Sequence, residues 1–489
     1  MRGKKHDVCH TCRQHKIGCD GLKPACSQCC LTGRECAGYL QDLVVFHHRP
    51  ASRCSRSKRK KTHTEATPVQ CGAQPEPRSV VTDETISRSR SCDLQLPTYD
   101  ECVAILVQHY IPKDEIPFLS HLEPSKSRIC GGWVQALPHV SQTDADFERI
   151  VAPAVRALTM SMMVTGTSKR EEYLSTYGNA LQGIRAVLDS TNEPIGSTVA
   201  IASMCLALSE VLVPTSNDGY KTHLRGVAAM MQSRGPSAFK DGVAHLMFVG
   251  VRPLIVLDAL LRRKTTFLMD QQWRFIPFSL HHASRMQLLL GHATAIAPLL
   301  EAIDNDSTDL RSIRTGLLEI LSTLQGWENS FISEGMLYRP IAPSQLDLGF
   351  EPHSLPNPCF DFVDVSHANS LTHFWAFRLV CLLFISTLDS QLVGEQNFST
   401  VYATGSNQHE SLVDLCTLIC RGLPYLLQKE MSLYGSMSAG FPLHMVSESL
   451  RTMQPQNCSL LGWCTAIKEQ VHSQRIALYE EMNESGAFI

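Results

Sequence analysis

The sequence predicts a mostly α-helical protein in three parts: a small metal-stabilised head (residues 1–45), a disordered linker (46–97) and a large all-α body (98–489). Three observations predict this organisation. Seven of the 19 cysteines lie within the first 36 residues, residues 62–97 are polar without an apolar period, and helical patterns dominate from about residue 98 onward. At 489 residues the chain is also too long for one ordinary domain.

Charge is distributed unevenly along the chain. Residues 1–62 contain 14 Lys and Arg against 4 Asp and Glu, a net charge of +10, whereas the remainder carries −13. A basic head on an acidic body indicates a polyanionic partner, with nucleic acid as the first candidate. No apolar signal peptide opens the sequence, so the clustered cysteines are expected in a reducing compartment, bound to metal rather than paired in disulfides.

The head cysteines form two halves with the same internal spacing, C-x2-C-x6-C. The two sets are Cys9, Cys12 and Cys19, then Cys26, Cys29 and Cys36. Using Cys30 in place of Cys29 would destroy this repeat, so Cys30 is predicted to be the spare thiol. Six thiolates are two too many for one tetrahedral zinc. Two zinc ions need eight coordination positions, so two sulfurs must bridge both metals, one from each half.

A simpler arrangement stays open at this point. Four of the cysteines could hold a single zinc, which leaves Cys19 and Cys36 idle and the repeat unexplained. The metal is structural in either case, because a shell closed by sulfur has no position for a catalytic water. The head is expected to lose its fold without metal, since about 30 residues cannot build a sufficient core.

The string C-x2-C-x6-C-x6-C-x2-C-x6-C resembles the DNA-binding module of the fungal binuclear zinc-cluster transcription factors. Asp20 and Pro24 also match that family's pattern. The resemblance implies two structural zinc ions bridged by Cys9 and Cys26.

The resemblance also implies which residues contact DNA. In the family a short helix enters the major groove, where a lysine reads a CGG triplet. Lys16 matches the base-reading lysine and Arg13 the phosphate-contacting arginine. His15 and Gly18 stand where the family usually has basic residues, which lowers the permanent charge near the DNA backbone.

A basic run follows the head at residues 53–61, RCSRSKRKK, in which six of nine residues are Lys or Arg. Three interpretations stay open: a nuclear localisation signal, an arm that binds DNA phosphates, or a solvated linker. The first two are favoured because the cysteine head lies beside the run. The residues assigned to them are Arg56, Lys58, Arg59, Lys60 and Lys61. A nuclear location and an import receptor as partner are therefore expected.

Apolar spacing predicts the helices of the body. Residues 168–190 form one of them, in which a single apolar stripe recurs at intervals of three and four: Leu174, Tyr177, Leu181, Ile184 and Leu188. Further helices are predicted at roughly 197–213, 218–234, 241–268, 283–303, 308–329, 366–390, 410–428 and 458–484. Charged residues interrupt the most apolar runs, which predicts buried helices and no membrane partner.

Residues 210–239 are similar to the regulatory domain that accompanies many zinc-cluster factors. The residues that carry this similarity are His223, Gly226 and the turn Arg234-Gly235-Pro236. His223 is expected to be packed or hydrogen-bonded rather than a ligand. Residues 342–367, broken by prolines and containing acidic and aromatic pieces, are expected to form a surface loop, with an exposed activation segment as the alternative.

These features predict a sequence-specific DNA-binding regulator of RNA polymerase II genes, with double-stranded DNA as partner. The family layout further implies control of a single pathway, commonly a secondary-metabolite gene cluster. No GxGxxG, GxxxxGK[ST], HExxH or GxSxG motif occurs, so an enzyme is not expected. The alternative is a zinc-bearing protein–protein adaptor. Many zinc-cluster factors place a dimerising coiled coil between the cluster and the body, but no a/d heptad lies between Cys36 and the end of the linker, which counts against symmetric dimerisation; a homodimer stays open as a partner.

Overall fold

The computed structural model describes residues 11–12, 15, 17, 19–20, 26–32 and 34 of the N-terminal region. Of the rest it describes residues 97–120, 132–144, 146–163, 167–190, 196–305, 309–333, 335, 337–348, 356–394, 402–453 and 458–473. The chain divides into two units, Met1–Arg90 and Ser91–Ile489, and each is described by itself. The predicted linker up to residue 96, including the basic run, lies outside the described residues.

In the described part of the first unit, residues 11–12 are helical and a short helix, α1, spans Ser27–Leu31. The second unit is built from α2 Tyr99–Tyr110, α3 Ala152–Met163, α4 Thr167–Ser190, α5 Ser197–Leu212, α6 Gly219–Arg234, α7 Gly242–Arg262, α8 Gln271–Phe275, α9 Arg285–Ala293, α10 Ile296–Asp304, α11 Leu310–Ile332, α12 Val365–Gly394, α13 Tyr402–Leu426, α14 Ser432–Thr452 and α15 Cys458–Ser473. Two strands, β1 (Tyr338–Ile341) and β2 (Cys359–Phe362), lie between α11 and α12. Short 3-10 or π segments are Lys113–Ser120, Trp133–His139, Phe147–Val151, Pro236–Phe239, Phe267–Met269, Ile276–Phe278, Pro343–Gln345 and Lys429–Met431.

One continuous apolar core runs through the described part of the second unit. Helix α5 lies within it and buries 14 of its 16 residues, because its sequence STVAIASMCLALSEVL is apolar or small at almost every position. It packs against α3 and α6, whereas α12 packs against α11, α13 and α14. The predicted helical body is therefore confirmed, and its described residues add one small two-stranded sheet.

Among the residues that the structure describes, three helical stretches are long and apolar enough to cross a membrane, judged by length and composition: Gly242–Arg262, Arg285–Asp304 and Val365–Leu392. Within the body, 67%, 50% and 78% of their most apolar windows are buried. At least half of each apolar window is therefore buried inside the protein.

The region predicted to be a surface loop, 342–367, contains one strand of an antiparallel pair. Strand β2 pairs with β1 so that Phe362 lies opposite Tyr338. Phe360 and Phe362 are buried, and the Phe360 ring centroid lies 4.4 Å from that of Tyr338 and 6.2 Å from that of Trp375. Both the loop and its alternative, an exposed activation segment, are wrong for residues 359–362, because these aromatic side chains pack into the core. Residues 349–355 lie outside the described part.

Helix α4 turns a different face to the core from the predicted stripe. Tyr177 and Ile184 are buried as predicted, but Leu174, Leu181 and Leu188 are 38%, 38% and 42% exposed. The buried face consists of Tyr173, Tyr177, Ala180, Ile184 and Val187. At 3.6 residues per turn the three leucines lie about 90° around the helix from the centre of that face. The prediction of one buried stripe is therefore wrong for the leucines.

Several helices differ from the sequence pattern. The predicted helix 283–303 is two helices, α9 and α10, separated by a turn at 294–295. Helices α2, α3, α8 and α14 were not among the predicted set. Helix α14 contains Gly435 and Pro442 and is buried around most of its circumference, so it offers neither strong propensity nor a polar face to reveal its period.

A close approach between α7 and the 3-10 helix Trp133–His139 yields a test of this packing. A Cβ added at Gly250 would lie 2.6 Å from the Trp133 Cβ and 2.5 Å from its backbone nitrogen, whereas one added at the exposed Gly226 meets nothing within 4 Å. We expect Gly250→Ala to lower the free energy of unfolding by about 1–3 kcal/mol through overpacking. Gly226→Ala should raise it by about 0.5–1 kcal/mol, because alanine is the better helix former.

Chemical denaturation of the two full-length variants and the wild type would measure both changes. A Gly250→Ala variant as stable as the wild type would contradict the described contact between α7 and Trp133.

Candidate metal centre and DNA-binding head

The described cysteines of the head bring their sulfurs together. Cys12, Cys26 and Cys29 are almost completely buried, and the Cys12 Sγ lies 3.5 Å from the Cys26 Sγ and 3.9 Å from the Cys29 Sγ. Sulfurs about 2.3 Å from one tetrahedral zinc ion are about 3.8 Å from each other. The two separations lie on either side of that value, so these three thiols have the spacing of ligands that share a zinc ion.

Cys26 also belongs to a second group of potential ligands. Ligand atoms of Cys19, Asp20 and Cys26 lie within 4.8 Å of one another, as do the three sulfurs of the first group. Among the described residues both such groups lie in the head, and Cys26 is their common member. A sulfur with this position can bridge two metal ions. The remaining predicted ligands, Cys9 and Cys36, lie outside the described residues.

Helix α1 begins directly after Cys26, and two side chains accept hydrogen bonds from its first turn. The Cys29 backbone N–H donates to the Cys26 Sγ at 3.4 Å, and the Ser27 N–H donates to the two Asp20 carboxylate oxygens at 3.2 and 3.3 Å. The first N–H groups of a helix lack intrahelical partners, so these hydrogen bonds satisfy donors that α1 itself leaves unpaired. Asp20 thereby ties the segment after Cys19 to the start of α1.

The two halves of the head share backbone hydrogen bonds that are offset by 17 residues. The Ile17 N–H donates to the Cys12 carbonyl at 3.1 Å, and the Arg34 N–H donates to the Cys29 carbonyl at 3.0 Å. A second matched pair runs from His15 to Thr11 and from Thr32 to Gln28, at 3.1 and 3.2 Å. The cysteine repeat has the same offset, so each half ends its helical turn in the same way after its second cysteine.

The adjacent thiols of the second half have different environments. Cys29 is buried beside Cys12, whereas Cys30 is exposed and is followed by Leu31, which is 82% exposed. Successive residues of a helix point about 100° apart, so two neighbours cannot both face one small cluster. The fold turns Cys29 toward the other sulfurs and Cys30 toward solvent.

Of the residues predicted to contact DNA, His15 is described, while Arg13 and Lys16 lie outside the described residues. His15 is exposed, and Ile17, two residues later, packs partly buried against the cysteine cluster. This turn therefore presents one side to the cluster and another to solvent. His15 lies on the solvent side of the turn.

In the body, the stretch that contains His223 and Gly226 forms part of a polar network between α4, α5 and α6. The His223 Nε2 lies 2.9 Å from the Tyr177 hydroxyl, within hydrogen-bond distance. Burial lowers the pKa of His223, against the opposing effect of the nearby Glu210. Its predicted role as a hydrogen-bonded residue is confirmed.

Glu210 is the buried acidic member of this network. It is 1% exposed and accepts hydrogen bonds from the Thr215 N–H and hydroxyl. A Cβ at Gly219, the first residue of α6, would overlap its carboxylate, so this position requires glycine. The polar residues of the network hold three helices in register, which is a structural role.

Three thiols meet away from the head. Cys416 and Cys420 lie one turn apart on α13, and the Cys464 Sγ of α15 is 3.9 Å from the Cys420 Sγ. The first two share one helix face through their spacing of four residues, whereas Cys464 comes from a helix distant in sequence. Burial raises the pKa of both Cys416 and Cys420, which keeps these thiols protonated and unreactive. Every cysteine described in the body is buried, as expected for small apolar residues.

The described residues thus show a head in which cysteine sulfurs converge as metal ligands do, and a large helical body in the same chain. Residues 7–43 match the Fungal Zn(2)-Cys(6) binuclear cluster domain, and residues 131–447 match the Fungal specific transcription factor domain. The second match covers more than half of the chain, which therefore belongs to the fungal-specific transcription factor family. Its head carries the cysteine cluster that binds two zinc ions, and the second matched model describes a domain of transcription factors.

An uncharacterised protein of Emericella nidulans is 27% identical to this chain over 154 residues. The aligned region covers 31% of this chain and 32% of the relative, so the match spans about a third of the relative's length. No solved structure matches this chain.

The different environments of Cys29 and Cys30 give a direct test of the ligand set. We expect Cys30→Ser to retain two zinc ions per full-length chain, because its exposed thiol points away from the cluster. Cys29→Ser should retain fewer than two, because it removes a buried sulfur that lies next to Cys12 and no other thiol can take its place without unwinding α1.

Elemental analysis of purified protein, with protein concentration from amino-acid analysis, would measure both stoichiometries. Equal zinc content in the two variants would contradict the assignment of Cys29.

Proposed function

We propose that this protein is a sequence-specific regulator of RNA polymerase II genes that reads CGG-type triplets through its zinc-cluster head. The observation that carries the proposal is the convergence of buried cysteine sulfurs within a motif that matches the Zn(2)-Cys(6) domain. The proposed ligands are Cys9, Cys12, Cys19, Cys26, Cys29 and Cys36, with Cys9 and Cys26 as bridges. The position of Cys26 in both ligand groups supports its bridging role.

The proposed organisation of the chain assigns one physical task to each part. Residues 1–45 form the DNA-binding head, residues 46–97 a basic and then polar disordered linker, and residues 98–489 the helical regulatory domain. The matches at 7–43 and 131–447 fall within the first and third of these parts. Transcription-factor families account for both matches, and we assign no catalytic activity to the body.

The 17-residue repeat suggests why one half of the head would read DNA. Cys30 stands at the position equivalent to Arg13, and Gly33 at the position equivalent to Lys16. The second half therefore carries neither the phosphate-binding cation nor the base-reading ammonium of the first. A Lys ammonium can donate to guanine O6 and N7 in the major groove, where every base pair is distinguishable. We assign base reading to Lys16 and backbone contacts to Arg13 and His15.

We place the protein in the nucleus, with double-stranded DNA, an import receptor and a second copy of the chain as partners. The basic run at 53–61 supports nuclear import and an additional contact with DNA phosphates. Control of one pathway, such as a secondary-metabolite gene cluster, rests on the family resemblance alone. The competing function is a zinc-bearing protein–protein adaptor, and the net charge of +10 on residues 1–62 favours DNA over that reading.

Lys16 and Arg13 should respond differently to substitution. We expect Lys16→Ala to weaken binding to a CGG-containing duplex by about 1–3 kcal/mol while changing binding to scrambled DNA much less, because it removes a base contact. Arg13→Ala should weaken both duplexes similarly and reduce the slope of log affinity against log salt by about one, because it removes a phosphate contact.

Fluorescence anisotropy titrations at several salt concentrations would measure both effects. Equal loss on CGG and scrambled DNA after Lys16→Ala would make Lys16 a phosphate contact and would remove the basis for CGG recognition. An absence of any steep salt dependence would favour the adaptor.

A second test concerns the basic run. Replacing Lys58, Arg59, Lys60 and Lys61 by Ala should leave a fluorescently tagged protein largely in the cytoplasm, because import receptors recognise such clusters of positive charge. The matched control is four Ala substitutions at polar, uncharged residues of the linker. Unchanged nuclear accumulation would move the import signal elsewhere and leave the run as a phosphate-binding arm or a plain linker.

A further inference from the structure

Three leucines on α4 form a regular exposed ridge. Leu174, Leu181 and Leu188 are spaced by seven residues, and their exposed fractions of 38%, 38% and 42% are nearly equal. Tyr177 and Ile184 are instead buried in the core, so α4 packs against the body through a different face from the one that carries the leucines. A seven-residue apolar repeat is the pattern by which one helix packs along another in a coiled coil.

The residues that alternate with the leucines also recur every seven positions: Glu171, Gly178 and Arg185. The resulting seam reads Glu171, Leu174, Gly178, Leu181, Arg185 and Leu188, alternating three and four residues apart like the a and d positions of a heptad. At its centre, a Cβ on Gly178 would meet nothing within 4 Å. The seam therefore has a gap at its midpoint, with leucines on both sides of the gap.

We propose that this seam is a self-association surface, at which α4 of one chain packs antiparallel against α4 of a second copy. In that arrangement a two-fold axis passes between Gly178 and Leu181. Leu181 then enters the space over the partner's Gly178, and the partner's Leu181 enters the space over Gly178. The same surface therefore supplies the inserting side chain, Leu181, and the space that receives it, over Gly178. A two-fold interface requires this self-complementarity.

Charge selects the antiparallel orientation. A parallel pair would set Glu171 against the partner's Glu171 and Arg185 against the partner's Arg185, and like charges that face each other are unfavourable. The antiparallel pair brings Glu171 close to the partner's Arg185 at both ends of the seam. Within its own chain Arg185 lies 3.8 Å from Asp189, but both side chains are largely exposed, and such a pair contributes little. Arg185 can therefore turn to the partner.

The seam on α4 offers a dimer contact that the linker sequence does not. The sequence between Cys36 and the end of the linker contains no a/d heptad, so it offers no repeat of the kind by which helices dimerise. The ridge on α4 supplies the heptad within the body instead. This inference gives the homodimer of the proposed function its contact surface, and in that respect it rests on the proposed function.

The test is sedimentation equilibrium of the full-length zinc-loaded protein at micromolar concentration, with binding to a duplex that contains one CGG triplet measured on the same samples. The wild type should sediment as a dimer. Leu181→Glu should shift the mass to that of one chain, because it places a carboxylate at the centre of the seam. The matched control, Leu318→Glu, changes a leucine that is 41% exposed on α11 and should leave the dimer intact.

A charge exchange tests the orientation without removing apolar contacts. Glu171→Arg and Arg185→Glu should each weaken the dimer, and the double variant E171R/R185E should restore it, since both pairs re-form with reversed charges. A double variant that stays dissociated would overturn the antiparallel pairing. A monomeric wild type, or a Leu181→Glu variant that remains dimeric, would overturn the surface itself.

The DNA readout separates this inference from the proposed function. Leu181→Glu should bind the single triplet as tightly as the wild type, because the seam lies in the body. Dissociation by Leu181→Glu in a protein that binds no DNA would sustain the seam and contradict the function. Dimers that Leu181→Glu does not affect, in a protein that does bind DNA, would contradict the seam alone.

Discussion

The convergence of cysteine sulfurs in the head is the interaction on which the account depends. A head of about 30 residues cannot bury enough apolar surface to fold alone, so the free energy must come from metal–thiolate bonds. Cys26 is central to this arrangement because its sulfur lies 3.5 Å from that of Cys12, accepts a hydrogen bond from the first turn of α1 and belongs to both groups of ligands. The matched hydrogen bonds at Ile17 and Arg34 show that the two halves are built alike around this centre. In the proposed function, the same sulfurs position the DNA-contacting residues of the first half.

The body is stabilised in another way. It has a continuous apolar core. Within residues 210–239 the carboxylate of Glu210 is deeply buried, accepts hydrogen bonds from Thr215 and lies close against Gly219. The Tyr177–His223 contact links α4 to α6 in the same neighbourhood. Because α4 is held from the core side, its leucine ridge is free to serve another contact. Head and body thus fold for independent physical reasons, metal coordination in one and apolar burial in the other.

Much of this could be predicted from sequence, and the exceptions have physical causes. The cysteine spacing predicted the metal centre because covalent geometry and ligand count leave few solutions. Period alone could not tell which side of α4 faces the core, since Leu174 and Tyr177 share one apolar stripe but only the tyrosine reaches the interior. Strand β2 was not predicted, because a proline-rich connection separates it from its partner strand in sequence. The contact between Cys464 and Cys420 was not predicted either, because it forms only through tertiary packing. Helix α2 did carry a signal, since Thr98 and Glu101 form a capping box at its start.

The central claim is that a zinc-stabilised head gives this chain sequence-specific recognition of DNA. The most direct measurement is a selection of bound sequences from a random duplex pool by the full-length protein, run in parallel with zinc present and after its removal by a chelator. The account predicts that CGG triplets are enriched with zinc and that no sequence is enriched without it, because the head unfolds when its metal is removed. Enrichment that survives chelation, or the absence of any enriched sequence in the zinc-loaded protein, would contradict the account.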